Sequence, residues 1–134
     1  MSPLFKKLNL GTRTVIHVLN APKSFEPELA ALDGVTVKRT VSGPSTFAMA
    51  FVITQAELDA ASNTLAAACA GDAVLWMVYP KGTSRKYQCE FNRDSGWPTL
   101  RAAGFETVRM VAVDEDWSAL RFRRVEHIKN MTRR

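Results

Sequence analysis

Residues 73–82 read Ala-Val-Leu-Trp-Met-Val-Tyr-Pro-Lys-Gly, and this stretch decides the fold. Ala73–Tyr79 is apolar throughout, with no polar alternation. A strand of that kind must be covered on both faces, as at the centre of a parallel sheet. Pro80-Lys81-Gly82 then breaks it. Working upstream, Phe47–Ile53 (Phe-Ala-Met-Ala-Phe-Val-Ile) has the same character. Between the two lies Thr54-Gln-Ala-Glu57, a capping box in which the threonine oxygen and the glutamate carboxylate satisfy each other's N–H groups. The helix it opens carries Leu58, Ala61, Leu65 and Ala68 on one face and stops at Gly71. Strand, helix and strand in that order predict two adjacent parallel strands joined by a right-handed crossover.

Further upstream, Thr14–Leu19 is short, β-branched and strand-like, and Asn20-Ala21-Pro22 breaks it. Ser24 is the expected N-cap of a helix with Phe25, Leu29 and Leu32 on one face, ended by Asp33-Gly34. Val35–Val41 alternates and reads as a strand nearer the sheet edge. Downstream, Pro80–Phe91 is a polar, basic loop. Asp94 or Ser95 is expected to cap a short helix carrying Trp97 and Leu100, closed by Gly104. Val108–Val113 and Ser118–Phe122 are the last strands, with Asp114-Glu115-Asp116-Trp117 between them. That link is too short for a crossover, so the pair is antiparallel. The whole pattern predicts an α/β, three-layer domain with a mostly parallel, mixed sheet of about six strands and an antiparallel C-terminal hairpin.

The 134 residues suffice for one domain with one core. It is expected over 1–124, with a basic tail over 125–134. No apolar run reaches the roughly 18 residues of a membrane span. Met1–Lys7 lacks the apolar core of a signal peptide, so a cytoplasmic protein without membrane contact is expected. The two cysteines, Cys69 and Cys89, form no CxxC pair, and no metal site is expected. The net charge of +5 is uneven. Residues 121–134 hold six basic residues and one acid, Glu126, which accounts for all of it. The plain reading is a solvated C-terminus; the sharper one is a patch for nucleic acid.

Several stretches together resemble a small bacterial family of uncharacterised function. They are Leu19-Asn20-Ala21-Pro22 with Phe25 beyond, Trp76 followed by Tyr79-Pro80-Lys81, Gly104-Phe105, and Val113-Asp114-Glu115-Asp116-Trp117-Ser118-Ala119-Leu120-Arg121-Phe122. The likeness runs from about Leu4 to Arg124, and Tyr87–Arg93 fits it least well. More distantly, the strand–loop–helix–hairpin order resembles the closing half of Rossmann-like methyltransferases. That resemblance implies strand order 2-1-3-4-6-5. It carries no activity over, because that family uses a glycine-rich turn after the first strand and an acid at the end of the second. Here the turn is Asn20-Ala21-Pro22-Lys23-Ser24, and the second strand runs out through Thr40-Val41-Ser42-Gly43. No S-adenosylmethionine, and no other cofactor, is therefore expected.

In open α/β sheets, ligands bind beyond the carboxyl ends of the strands at the switch point. Here that point lies between the strands ending near Asn20 and Thr54. Asn20, Lys23, Ser24, Thr54, Gln55, Lys81 and Ser84 are the candidate ligand-binding residues. The set is polar and cationic, and two helix starts face it, which favours a small anionic ligand. The plainer reading makes Asn20, Ser24 and Thr54 turn and cap residues with solvated lysines. No catalytic residue stands out. His17 lies inside an apolar strand and reads as a buried neutral histidine. His127 lies in the tail. Cys89 has Lys86 and Arg93 near it but no histidine base. Asp114-Glu115-Asp116 reads as turn chemistry, with cation binding as the alternative. The expected function is a non-catalytic Rossmann-like domain that binds a small anionic ligand or a protein partner. The rivals are a nucleic-acid-associated protein and a minimal methyltransferase-like enzyme.

Overall fold

Every residue of Phe47–Phe51 and of Val74–Pro80 is buried, as apolar runs at the middle of a covered sheet must be. The computed structural model describes residues 3–69, 71–82, 84, 87–89 and 97–128. The elements are α1 (Pro3–Lys7), β1 (Val15–Leu19), a 3₁₀ turn at Lys23–Phe25 leading into α2 (Glu26–Ala30), β2 (Thr36–Lys38), β3 (Phe47–Phe51), α3 (Gln55–Ala68), β4 (Val74–Pro80), α4 (Pro98–Ala102), β5 (Phe105–Ala112) and β6 (Trp117–Arg124). A second 3₁₀ turn follows at Val125–His127.

The sheet has six strands in the order β2-β1-β3-β4-β6-β5. The first four are mutually parallel. β6 enters antiparallel beside β4, and β5 pairs antiparallel on its outer side. The two apolar runs are thus adjacent, parallel and internal, with β6 opposed to both, as their composition requires.

The two faces of the sheet are covered differently. On one face α3 presents Leu58, Ala61 and Leu65 to Ala48, Ala50, Leu75 and Met77, and Trp97 and Leu100 extend that layer over Phe122. Trp97 packs tilted at 5.0 Å on Phe122 and edge-on at 5.7 Å on Tyr79. On the other face the cover is the N-terminal arm together with α2. Phe5, Leu8 and Leu10 lie with Phe25, Leu29 and Leu32 over Ile16, Val18, Met49, Trp76 and Val78. The Trp76 indole N–H donates to the Leu8 carbonyl at 2.9 Å and ties the arm to the central strand. Nothing in the periodicity of the first ten residues announces this arm.

Three local expectations change. Ser24 caps nothing: it lies inside the 3₁₀ turn, and α2 starts behind Phe25 with no side-chain cap bond. A serine N-cap accepts from the N–H two or three residues on, and here the Glu26 N–H is taken by the Lys23 carbonyl while Pro27 has none. β2 is three residues, Thr36–Lys38, because an edge strand next to a loop rich in Ser, Gly and Pro has little to pair with. Trp97 precedes α4 as its N-cap and is not carried on it. The expected caps Asp94 and Ser95 lie outside the described residues, as does most of Tyr87–Arg93. The capping box of α3 forms as read, and Gly71 and Gly104 take the left-handed φ values of 61° and 93° that helix ends favour.

Candidate functional site

The parallel strands deliver Asn20, Thr54 and Lys81 just beyond the carboxyl ends of β1, β3 and β4. Asn20 adopts φ 60°, the left-handed bend with which the chain leaves β1. Asparagine tolerates that bend better than most non-glycine residues. The start of α3 is already furnished with an anion of its own. The Glu57 carboxylate accepts from the N–H groups of Ile53 at 2.9 Å and Thr54 at 3.0 Å, and Thr54 Oγ1 accepts from the Glu57 N–H at 3.1 Å. These bonds hold the Glu57 carboxyl below the usual range. The Gln55 amide is turned along the helix to Asp59, which also accepts from Thr99 and links α3 to α4. Thr54 and Gln55 therefore serve the helix first.

Lys81 and Ser84 belong to a different group. The Lys81 N–H donates to the Asp116 carbonyl at 2.8 Å, and Ser84 Oγ donates to Asp116 Oδ1 at 2.9 Å. The loop after β4 is thus latched onto the β5–β6 turn. Within that turn Asp114 Oδ1 accepts from the N–H groups of Asp116 and Trp117 at 2.8 and 2.9 Å. This is the turn chemistry expected of aspartate. No group of three His, Cys, Asp or Glu among the described residues could hold a metal ion.

Behind the latch stands an aromatic file that the sequence does not reveal as a unit. Phe25, Phe51, Trp117 and Tyr87 follow one another at centroid distances of 4.8, 5.2 and 4.9 Å. It closes the front of the carboxyl edge. Trp117 Nε1 is buried there with no hydrogen-bond partner, a donor able to meet an acceptor oxygen. The Asp114-Glu115-Asp116-Trp117 turn is the trace of this group in the sequence.

Lys23 points elsewhere, into a groove of roughly 540 Å³ between α2 and β2. Pro27, Leu29, Val35 and Val37 line its floor, and Lys23, Glu26 and Arg39 its rim. Arg39 forks Glu26 with two bonds of 2.7 Å, which hold the exposed Glu26 carboxyl below its ordinary range. The Lys23 ammonium has no ion-pair or hydrogen-bond partner among the described residues. Since β2 ends at Lys38, the residue following it is Arg39, where the methyltransferase pattern has an acid. Ser24 is exposed beside this groove.

His17, Cys69 and the C-terminal arginines are internal fittings. His17 Nδ1 lies 2.8 Å from Ser45 Oγ inside the sheet. Cys69 is fully buried, and burial pushes its thiol up to about 11. Arg123 forks Asp72 at 2.6 Å, and Arg124 reaches back to the carbonyls of Ala66 and Cys69 at 3.1 and 2.8 Å. Two of the six C-terminal cations are therefore engaged in the fold and not solvated. Lys129, Arg133 and Arg134 lie outside the described residues.

No protein-family model and no curated protein matches the chain. Solved structures do. The DhpI–SAH complex superposes with a TM-score of 0.58 and 12% identity, over 90% of this chain and 82% of that one. N-methyltransferase NodS from Bradyrhizobium japonicum WM9, in complex with S-adenosyl-L-homocysteine, gives 0.56 and 11%, over 92% and 89%. Magnesium protoporphyrin IX methyltransferase from Synechocystis PCC 6803, with bound SAM, gives 0.56 and 14%, over 90% and 74%. At these identities the likeness is one of fold. The chain has the Rossmann-like α/β fold of the methyltransferases, with their sheet order. No helix among the described residues is long and apolar enough to cross a membrane.

The residues at the carboxyl edge do not fit the SAM of those neighbours. Close approach of backbone N–H groups to a ligand needs a glycine turn, and here the turn holds Pro22, which has no N–H. The residue after β2 is cationic where a ribose diol calls for an acid. No step of methyl transfer is assigned to these side chains.

Proposed function

We propose that this is a small Rossmann-like binding domain that takes up an anionic ligand at the carboxyl edge of its sheet, without catalysing a reaction. The observation that carries this reading is the groove beside β2, with its apolar floor and the unpartnered Lys23 on a rim shared with Arg39. Such a site suits a ligand with an apolar or heteroaromatic body and a negatively charged group, such as a nucleotide. Arginine after the second strand is the residue type that accommodates a 2′-phosphate on the ribose, for which Arg39 would exchange its bonds to Glu26. Asn20, Ser24, Thr54, Gln55, Lys81 and Ser84 remain the proposed surround, beyond the ends of β1, β3 and β4 on the same carboxyl edge. The resemblance to the small bacterial family is kept as part of this reading.

Thermal unfolding of the full chain with a panel of nucleotides, SAM and short DNA tests the proposal. A nucleotide at about 100 times its dissociation constant adds roughly 2.7 kcal/mol. The shift should vanish in Lys23→Ala. A panel in which no nucleotide shifts the transition sinks the proposal. The second reading is a minimal methyltransferase-like enzyme, which the shared sheet order favours. Micromolar affinity for SAM in calorimetry would select it.

A further inference from the structure

β6 carries three arginines, and the sheet sorts them by face. Arg124 turns to the α3 side, over the Phe105 ring at 4.5 Å. Arg121 and Arg123 share the opposite face with Trp117 and Ala119, since strand residues alternate. Arg123 is committed to Asp72 by two bonds of 2.6 Å. Arg121 is not committed. Its Nε is buried without a hydrogen-bond partner, and no carboxylate lies within salt-bridge distance of it among the described residues.

The charges around Arg121 are mostly of its own sign. Burial, then Arg123, Arg13 and Arg109, all work against its protonated form, and Asp72 alone supports it. Glu106, the acid paired with Arg123 across the two strands, is turned to Arg101 at 3.1 Å.

The register of β5 makes this crowding deliberate in geometric terms. Thr107 pairs with Phe122, and the next pair is Arg109 with Arg121, so Val108 is the extra residue of a bulge. Strict alternation from Thr107 would send residue 109 to the Phe122 face. The bulge returns Arg109 to the other face, directly across from Arg121. Like charges directly opposite in an antiparallel pair are destabilising. Bulges recur where a strand re-aims a side chain at a site. Arg13 stands in the turn after α1, its guanidinium fixed by the carbonyls of Asn9 at 3.1 Å and Leu10 at 3.2 Å, and its charge is felt at Arg121.

We propose that Arg13, Arg109 and Arg121 form a binding site for a phosphate-type oxyanion. Guanidinium forks match the tetrahedral oxygens of such a group. The anion would accept from the orphan Arg121 Nε–H and cancel the repulsion across the β5–β6 pair. The site is separate from the groove of Lys23. Arg121 pairs with Trp76 near the start of β4, whereas Lys23 follows the carboxyl end of β1.

Thermal unfolding of the full chain in sodium phosphate, against sodium chloride of matched ionic strength, tests the site, with calorimetric titration of inorganic pyrophosphate. Phosphate should raise the melting temperature above the chloride value. Arg109→Ala, an exposed edge-strand change, should abolish that difference and weaken pyrophosphate at least about tenfold, the loss expected for one charged hydrogen bond. In chloride alone the same variant should melt above the wild type, because the cross-strand repulsion is gone. Arg121→Gln should behave likewise, and if it fails to fold, Arg109→Ala decides alone. Lys23→Ala should leave the phosphate effect unchanged, which separates this site from the groove. Equal melting in phosphate and chloride would show screening only and overturn the proposal. So would pyrophosphate binding that survives Arg109→Ala, or a response confined to polymeric DNA.

Discussion

Ser45 Oγ donates to the Phe47 carbonyl at 2.9 Å, so its contact with His17 uses a lone pair and the histidine Nδ1 carries the proton. That makes His17 a neutral donor held inside the sheet, as its place in an apolar strand suggests. Burial first, then the charge of Lys38, lowers its pKa from 6.5, while a bond to the Phe47 backbone partly opposes them. A folded pKa below the unfolded one means that the unfolded chain binds more protons. Stability therefore rises with pH through the window ending near 6.5 and is lost as pH falls below it. Urea midpoints measured from pH 5 to 7 should climb, and His17→Phe should flatten that part of the profile. The cysteines make a second test at this scale. With Cys69 buried and its thiol pushed up to about 11, a thiol reagent at pH 8 should label Cys89 alone in the folded chain. Both should react in denaturant. Rapid labelling of two thiols in the native state would show that the α3 end opens. His17 was legible because an apolar strand leaves a polar side chain few roles. The Ser45 partner was not, since it is 28 residues away and no local period links the two.

At the scale of elements, helix ends decide how α3 and α4 are held. The Thr54–Glu57 box is written in four adjacent residues, and it forms as read. The other end is closed from afar. Arg124 gives bonds to Ala66 and Cys69 carbonyls at the C-terminus of α3, and a longer one of 3.5 Å to Ala103 behind α4. Cations are favoured at helix C-termini, where carbonyls have no partner within the helix. Sequence alone placed this arginine in a solvated basic end, because a contact across 55 residues leaves no spacing to read. Arg124→Ala should cost about 2–4 kcal/mol in chemical denaturation, since charged hydrogen bonds contribute roughly 1.5–3 kcal/mol each and the freed carbonyls remain half-buried. Lysine should not restore it, as one ammonium cannot reproduce the planar fork that spans two carbonyls. A loss below 0.5 kcal/mol would return Arg124 to the solvated class. Edge elements were the least legible. The alternation of Val35–Val41 runs past the three residues that actually pair, because hydrogen-bonding neighbours and not side-chain pattern set where an edge strand stops.

For the whole molecule, two facts visible in the sequence, fully apolar central strands and a final link too short for a crossover, place β3 beside β4 and make β5 and β6 antiparallel, while the full order 2-1-3-4-6-5 was implied by the likeness to Rossmann-like methyltransferases. The cover on the arm side does not follow, because ten residues with no clear period take the place of an amphipathic helix. Phe5, Leu8 and Leu10 are each at most 1% exposed, and the Leu8 carbonyl holds the Trp76 indole at 2.9 Å. Burying three such side chains contributes about 1.5–3 kcal/mol apiece. That sum is comparable with the roughly 5–15 kcal/mol that separates a native domain from its unfolded chain. Removal of the arm also uncovers Ile16, Met49 and Trp76 on the central strands. A chain lacking residues 1–12 should therefore lose its cooperative thermal transition and the near-ultraviolet signal of packed tryptophans. Trp76→Phe probes the same joint more gently. It keeps most of the ring, removes the N–H, and leaves the Leu8 carbonyl unpaired at a cost of about 1–3 kcal/mol. If the truncated chain instead melts sharply at the wild-type temperature, the arm is an accessory and the sheet must be stable with that face open. The two variants together separate the contribution of apolar cover from that of the single buried bond.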